Sequence, residues 1–189
     1  MVRNDASGSV AQQTTWQIDP AHSAAQFSVR HMMVSTIRGT FEKLSGTVLW
    51  DGKDITTGSV EATIETASVT TREPKRDAHL KSADFFDAEK FPTLTFKSAK
   101  IEPAGPDRAK MTGDLTIRGV TRRAVFDVEG PTPAIKDPYG NLRVGATATT
   151  KINRQDFGVS WNGVLDAGGV VVGDEVTITI DMEIVRKAA

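Results

Sequence analysis

His22, Ser23 and His31 are the residues near the amino end whose side chains could act as metal ligands or as a base beside a nucleophile. If residues 22–31 form one strand, nine steps of ~3.3 Å place the histidines about 30 Å apart, on opposite faces. A zinc ion needs each ligating nitrogen within about 2.1 Å. Ser23 would point away from His22, and no G-x-S-x-G elbow occurs. The stretch therefore predicts neither a metal site nor a nucleophilic triad.

The sequence also lacks the usual motifs for nucleotides and thiolate-bound metals. The glycines of residues 168–173 have the wrong spacing for a dinucleotide loop and precede a strand. Cysteine is absent, and the carboxylates Asp84, Asp87 and Glu89 are interpreted as a solvated helix end. We predict no metal and no cofactor. With 23 basic and 24 acidic residues and no Lys/Arg block, nucleic acid is not an expected partner.

Alternation of apolar and polar residues is the dominant pattern. Val176, Ile178, Ile180, Met182 and Ile184 alternate with polar residues, which is typical of a strand with one buried face. The same pattern recurs within residues 27–31, 60–64, 94–96, 115–117, 124–128 and 144–148. Eight or so strands joined by short turns predict an all-β protein, either an antiparallel sandwich or a barrel.

One substantial helix is predicted, over about residues 71–84. Thr70 and Glu73 have the spacing of a capping box, and Pro74 would fall in the first turn. No repeat or second domain is found. Residues 1–14 are expected to form a flexible tail, followed by a single domain over 15–187.

The location is predicted from the absence of long apolar runs. No stretch reaches the ~18 apolar residues of a membrane helix, and the amino end has no signal-peptide core. We expect a soluble, cytoplasmic protein without an integral membrane segment, or a periplasmic one if a leader has been removed. A homodimer is left open.

Several segments, taken in order, resemble one protein family. They are W-x-I-D-P-x-H-S from Trp16, F-x-V-x-H from Phe27, G-T-F from Gly39, residues 77–87, 91–96 and 113–121, and N-R-x-D-F-G from Asn153. Together they resemble the YceI-like, or polyisoprenoid-binding, proteins over residues 16–184. The resemblance implies an eight-stranded antiparallel, lipocalin-like barrel with a short helix near one end. It also implies that the barrel binds, transports or stores a long-chain isoprenoid lipid without catalysis, either a polyprenyl phosphate or pyrophosphate or an isoprenoid quinone.

The free energy of burial indicates which lipids such a barrel would hold. Each buried methylene contributes about 0.8 kcal/mol, association costs about 4–15 kcal/mol, and micromolar binding corresponds to about −8 kcal/mol. Roughly 20 buried carbons are therefore needed. A chain of four or more isoprene units meets that requirement, whereas a ten-carbon terpene does not.

Within such a barrel, alternation places one set of residues on the inner wall. The predicted tail contacts are Phe27, Val29, His31, Phe41, Leu94, Phe96, Leu115, Ile117, Phe126, Ile178, Ile180 and Met182. The irregular stretch 153–161 adds Phe157 and Trp161 as predicted ligand contacts. Arg154 is the first choice for a charged head group, with Arg72 and Arg76 as second choices.

Two other functions remain open at this point. The barrel could be an isomerase or hydrolase for an apolar substrate, with His31 as general base and Asp156 as its partner. It could also be a filled barrel that works as a scaffold, which would be favoured if Phe157 and Trp161 both point inward.

Overall fold

The computed structural model describes residues 13–166 and 168–187, and in these ranges it contains twelve strands and one α-helix. The strands are β1 Thr14–Ile18, β2 Ala24–His31, β3 Ser35–Phe41, β4 Leu44–Trp50, β5 Ser59–Glu65, β6 Val69–Thr70, β7 Thr93–Gly105, β8 Arg108–Ile117, β9 Val120–Glu129, β10 Ile135–Lys136, β11 Leu142–Asn153 and β12 Val172–Arg186. The helix is α1, Pro74–Lys81. Short 3₁₀ turns cover Ile55–Thr57, Thr66–Ser68 and Arg154–Phe157.

Eight of these strands form a closed antiparallel barrel, which confirms the predicted fold class. The ring runs β1, β4, β5, β7, β8, β9, β11, β12 and back to β1. β12 pairs with β11 over the whole length of β11, and β1 and β2 lie end to end along its other edge. The closed ring removes the free edges of an open sheet and leaves an interior lined by alternate residues.

At one end of the barrel, the wall next to β3 is formed by the helix and the segment after it rather than by a strand. β3 pairs with β2 on one side, but on its other side only Thr40 and Phe41 have a strand partner, the short β6. The wall beyond this point is completed by α1 and residues 82–91, and the Phe41 and Phe86 rings meet there at 5.5 Å. We call this end the helix end. We call the boundary between β3 and the segment of α1 and residues 82–91 the seam.

The helix is shorter than predicted and has a different cap. Arg72 has a left-handed backbone (φ 62°), and Glu73 is extended because it precedes a proline. Glu73 itself is the N-cap, since its carboxylate accepts from the backbone N–H groups of Lys75 and Arg76. The predicted capping box with Thr70 is therefore wrong, because Thr70 ends β6. Pro74 occupies the first helical turn as predicted.

The predicted boundary between the amino-terminal tail and the domain can be compared with the start of β1. β1 already begins at Thr14, one residue inside the predicted tail of 1–14, and residues 1–12 lie outside the described residues. No helix in the described part of the chain is long and apolar enough to cross a membrane.

Candidate ligand-binding cavity

The barrel encloses an apolar cavity of about 170 Å³ that extends from the helix end toward the middle. Its lining comes from all eight strands of the ring and is apolar except for Gln26, Thr95 and Arg154. Alternation explains this composition, because every second residue of each strand faces inward. Such a cavity can hold a hydrocarbon, and it offers little to a charged group.

Most residues predicted to contact a ligand are brought together here. The larger cavity is lined by Phe27, Val29, Phe41, Leu94, Phe96, Leu115, Ile117, Phe126, Arg154, Phe157, Ile178, Ile180 and Met182. His31 and Trp161 are not among its lining residues. His31 is the last residue of β2, and its side chain is not part of the lining although its register partner Val172 is; Trp161 packs outside the cavity. The expectation that His31 looks into the cavity is therefore not met.

Arg154 lines the cavity, but its charge is directed away from a ligand. The side chain is only 4% exposed. Nε donates to the carbonyl of Gly173, Nη1 to those of Val159 and Trp161, and Nη2 to the carbonyl of Val172 and to Asp174 Oδ1, at 2.7–3.3 Å. These contacts account for the five N–H groups of the guanidinium. Burial lowers the pKa of Arg154, and Asp174 opposes that change. Arg154 thus ties residues 159–173 to the barrel.

A cluster of aromatic rings covers the helix end. Phe85, which lines the cavity, lies 5.3 Å from Trp161, and His79 of α1 meets both rings edge-on at 5.0 and 4.8 Å. The His79 Nε2 atom is 2.7 Å from Asp84 Oδ2. Phe85 thus docks the segment after α1 onto the barrel.

Arg118 joins the two parts of this cover. From the turn between β8 and β9, its Nη1 donates to the carbonyl of Phe85 and to the carbonyl of Gly158, each at 3.0 Å. Phe85 belongs to the segment after α1, and Gly158 follows the 3₁₀ turn that contains Arg154. We call α1 with residues 82–91 the lid, which Arg118 fastens to the loop after Gly158.

The remaining cations considered for a head group lie beside the lid. Arg76 is half-buried and donates from Nε to Thr71 Oγ1 at 2.7 Å and from Nη2 to the Thr71 carbonyl at 3.0 Å. Arg72 is exposed. Neither is part of the cavity lining.

The catalytic pair proposed as an alternative is not assembled. Asp156 is exposed in the 3₁₀ turn, and the described residues include no hydrogen bond between it and His31. Phe157 points into the cavity but Trp161 does not, so the condition that would favour a filled barrel is not met.

A second apolar cavity, of about 70 Å³, lies toward the opposite end of the barrel. Trp50, Ile55, Ile101 and Pro131 are among its lining residues. Four residues line both cavities and form a belt between them, which we call the waist: Val60, Met111, Ala148 and Met182.

Distance along one strand gives the length of the two cavities together. On β12, Val172 lines the larger cavity and Ile184 the second one. Twelve steps of about 3.3 Å make about 40 Å along the strand, or about 30 Å along the axis of a barrel with the usual tilt. The interior is therefore long and narrow.

An ion network lies on the outer surface near His22. Arg143 Nη1 is 2.7 Å from Asp19 Oδ2 and also contacts Glu183, while its Nε is 2.8 Å from Asp137 Oδ2. His22 Nδ1 is 2.9 Å from Asp19 Oδ2, so His22 secures the turn that leads into β2. The hydrogen bonds from Arg143 and His22 lower the pKa of Asp19 to about 2.

The same group includes three atoms close enough to bind one metal ion, from Asp19, His22 and Glu183. The guanidinium of Arg143 already supplies positive charge to both carboxylates. The hydrogen bonds of Asn141 and Arg143 also lower the pKa of Asp137. The arrangement is that of a structural ion network joining β11, β12 and the turn after β1.

Several lining residues were not predicted as ligand contacts. Val60, Ala62 and Ile64 carried the alternation that would have identified them, and Met111 shares a face with Leu115. Leu80 and Phe86 come from the lid, where no strand period applies. Trp50 shares a face of β4 with Val48, and both line the second cavity.

Comparison with known proteins agrees with this geometry. A family model described as the YceI-like domain matches residues 16–184. A UPF0312 protein of Staphylococcus aureus strain MSSA476 is 35% identical over 170 residues, which cover 90% of this chain and 96% of that protein.

Solved structures with the same fold are found in other bacteria. Burkholderia cenocepacia BcnA superposes with a TM-score of 0.75 at 27% identity and covers 88% of this chain and 98% of its own. A Campylobacter jejuni YceI protein has a TM-score of 0.72 at 31% identity, over 84% and 90% of the two chains. A polyisoprenoid-binding domain from Saccharophagus degradans, implicated in plant cell wall breakdown, reaches 0.65 at 15% identity over 89% and 97%, which shows a shared fold.

Proposed function

The chain belongs to the YceI-like domain family, and from this premise we propose that it binds a long-chain isoprenoid or similar lipid in the barrel and carries or stores it unchanged. The observation that carries the proposal is the pair of apolar cavities arranged end to end inside a closed barrel. The structure of a polyisoprenoid-binding domain with the same fold is consistent with it.

The shape of the interior favours a slim, extended ligand. Roughly 20 buried carbons are needed for micromolar binding, at about 0.8 kcal/mol for each. A length of about 30 Å suits an extended chain of that size better than a compact molecule. Branched isoprenoid tails and the aromatic wall are both apolar, so burial of either removes hydrocarbon from water.

The polarity of the lining indicates whether the head group of the ligand is charged or neutral. Gln26, Thr95 and Arg154 are its polar members, and the N–H groups of Arg154 are all engaged by protein acceptors. A buried pyrophosphate would need cationic partners that the lining does not supply, since unpaired buried charge is costly. A neutral head group such as a quinone therefore fits the interior better than a pyrophosphate.

The test is native mass spectrometry of the purified protein, followed by organic extraction and identification of the released molecules. A stoichiometric prenyl lipid, returned with unchanged mass after incubation, is the expected result. A protein that is empty as purified and binds no added prenyl lipid would contradict the proposal. Chemical conversion of the lipid would instead support an enzyme.

Two matched variants make the result specific to the cavity. Ala62→Phe adds a ring to the wall of the larger cavity, whereas Val125→Phe adds the same ring to a residue that is 45% exposed. We expect Ala62→Phe to lower lipid occupancy several-fold and Val125→Phe to leave it unchanged. Equal occupancy in both variants would place the lipid outside the barrel.

A further inference from the structure

Exposed apolar side chains are grouped on two turns at the helix end of the barrel. Met32, Met33 and Val34 form the turn between β2 and β3, and a bridge between Val164 and Val170 closes the other turn. These five side chains are 41–89% exposed. Single exposed apolar residues are ordinary, whereas several together mark a surface that contacts another apolar body. We call these five residues the apolar tips.

Backbone contacts hold the two turns side by side and next to the cavity. Met32 donates its backbone N–H to the carbonyl of Val171 at 2.8 Å, and the following residue, Val172, lines the larger cavity. Trp161, near the start of the same loop, packs against Phe85 of the lid at 5.3 Å. The apolar tips therefore lie beside the lid, at the end of the barrel to which the larger cavity extends.

The hairpin of β2 and β3 is positively charged. Residues 24–41 contain two arginines and one histidine but neither aspartate nor glutamate. Arg30 Nη2 donates to the carbonyl of Met33 at 2.6 Å, which holds this charge at the turn. Arg38 is exposed on β3. The hairpin thus combines cations with exposed apolar side chains.

The carboxylates near these turns do not cancel this charge. Asp174 accepts from Arg154 at 3.2 Å and Glu175 accepts from Lys151 at 2.8 Å, so both already face a cation. Asp166 adds one exposed acid to the second turn. The lid, residues 74–91, is balanced, with four basic and four acidic residues. The two turns and their strands therefore carry more positive than negative charge.

We propose that the apolar tips are a docking surface for an anionic lipid bilayer. Apolar side chains next to basic ones are the combination that binds the interface of such a bilayer, because hydrocarbon enters below the headgroups while the cations attract them. Arg30 and Arg38 supply the attraction. The inference rests on the proposed function for its purpose, since a lipid with a long prenyl tail is dissolved in membranes and has to be collected there.

A second copy of the chain suits this surface less well. In a two-fold dimer the same patch of both subunits meets itself. Arg30 and Arg38 would then approach their own counterparts, and the hairpin has no carboxylate to pair with them. Juxtaposed like charges oppose association. A bilayer with anionic headgroups offers both the apolar layer and the opposite charge.

The experiment measures flotation of the purified protein with lipid vesicles. One set of vesicles is phosphatidylcholine alone, and the other contains phosphatidylglycerol as a minor component. We expect the protein to float with the mixed vesicles, to float less with phosphatidylcholine alone, and to be partly released from the mixed vesicles by salt, which screens the attraction.

A double variant removes the apolar side chains without adding charge. Met33→Asn with Val34→Ser keeps the turn, since asparagine tolerates the left-handed backbone of Met33 (φ 57°). Ile135→Asn with Tyr139→Ser is the matched control, because these exposed residues lie at the opposite end of the barrel, where β10 pairs with the start of β11. We expect the first variant to bind mixed vesicles at least about 10-fold more weakly and the control to bind them like the wild type.

A second pair of variants tests the charge. Arg38→Gln should weaken binding to the mixed vesicles about 5-fold and leave binding to phosphatidylcholine unchanged. Arg108→Gln is the control, since Arg108 is exposed at the end of β8 remote from the lid. Equal losses in both arginine variants would show a general charge effect and overturn the docking surface.

The remaining outcomes separate this inference from the proposed function. If the wild type binds prenyl lipids but no vesicles, or if the Met33 and Val34 variant floats like the wild type, the docking surface is wrong and the lipid carrier stands. A wild-type dimer in analytical ultracentrifugation that this variant makes monomeric, without vesicle binding, would assign the surface to a second copy instead. If the protein docks on vesicles as expected but binds no prenyl lipid, the docking surface stands and the proposed function fails.

Discussion

Phe27 of β2 lies directly over Gly39 of β3. The two residues are register partners, and a Cβ on Gly39 would lie 2.3 Å from Cζ of the Phe27 ring. Because Phe27 also lines the larger cavity, the absence of a side chain at Gly39 sets how far this ring stands out from the wall. The glycine thereby affects the width of the cavity near the seam.

Gly39→Ala should therefore move the Phe27 ring toward the cavity. We expect a loss of about 1–3 kcal/mol in the free energy of unfolding, as in other overpacked cores, and weaker binding of long prenyl lipids. Denaturant titration and lipid binding check these effects. Gly52→Ala is the comparison, because Gly52 has open space around it although its φ of 81° adds a separate backbone cost. Unchanged lipid binding in Gly39→Ala would show that the ring moves elsewhere.

Arg154→Met should reduce stability rather than select between head groups. Removal of the guanidinium leaves the carbonyls of Val159, Trp161 and Gly173 without their donor, which we expect to cost about 3 kcal/mol or more. Affinities for a polyprenyl pyrophosphate and for a neutral quinone should fall by similar factors. A selective loss of pyrophosphate binding, at unchanged stability, would restore Arg154 as the head-group contact.

Arg118→Met should loosen the lid. The change removes the donor shared by the carbonyls of Phe85 and Gly158 but keeps much of the side chain's apolar length. We expect several-fold faster lipid release, measured by transfer to acceptor vesicles, with a smaller change in unfolding free energy. Arg122→Met, from the same hairpin, is the control, since the Arg122 guanidinium donates to the adjacent carbonyl of Thr121 and not to the lid. Equal release rates in both variants would argue against a lid fastened by Arg118.

The Arg143 network predicts a pH dependence with a definite sign. The folded pKa of Asp19 is about 2, below its usual 3.8, so its stabilising effect is present above pH 4 and is lost as the pH falls toward 2. The effect is about 2 kcal/mol. Arg143→Met should lower stability at pH 7 and remove most of this acid-side loss.

Denaturant titrations at pH 7, 4 and 3 check this expectation. Arg108→Met is the matched control, since its pair with Glu129 is about two-thirds exposed on both sides. Exposed pairs contribute little, so its stability should change by less than about 0.5 kcal/mol. An Arg143→Met variant with the wild-type pH profile would show that Asp19 is stabilised by other groups.

The barrel was predictable because its signal is local. Each alternating segment of the sequence, from the stretch at Phe27 to the one ending at Ile184, forms a strand with its apolar side inward. Alternation needs only the chain itself, and the choice between a sandwich and a barrel came from the family resemblance.

The details of the site were less predictable because they depend on distant parts of the chain. Arg154 donates to backbone carbonyls between residues 159 and 173. Because every residue has a carbonyl, no side-chain motif in the sequence identifies these partners. His31 shares the parity of Phe27 and Val29, but at the end of β2 its side chain is not part of the lining, although that of its register partner Val172 is. Trp161 lies in an irregular loop, so no helix or strand period predicts which way its side chain points.

Under the proposed function, the seam makes exchange of the bound lipid a local event. Elsewhere the barrel wall is held by ladders of backbone hydrogen bonds, whereas displacement of the lid breaks ring contacts and a few hydrogen bonds such as those of Arg118. Amide hydrogens of α1 should therefore exchange with solvent deuterium through small openings, and those of β8 and β9 only through global unfolding. Under the proposed function, a lipid could thus leave the barrel many times in the lifetime of a single folded molecule.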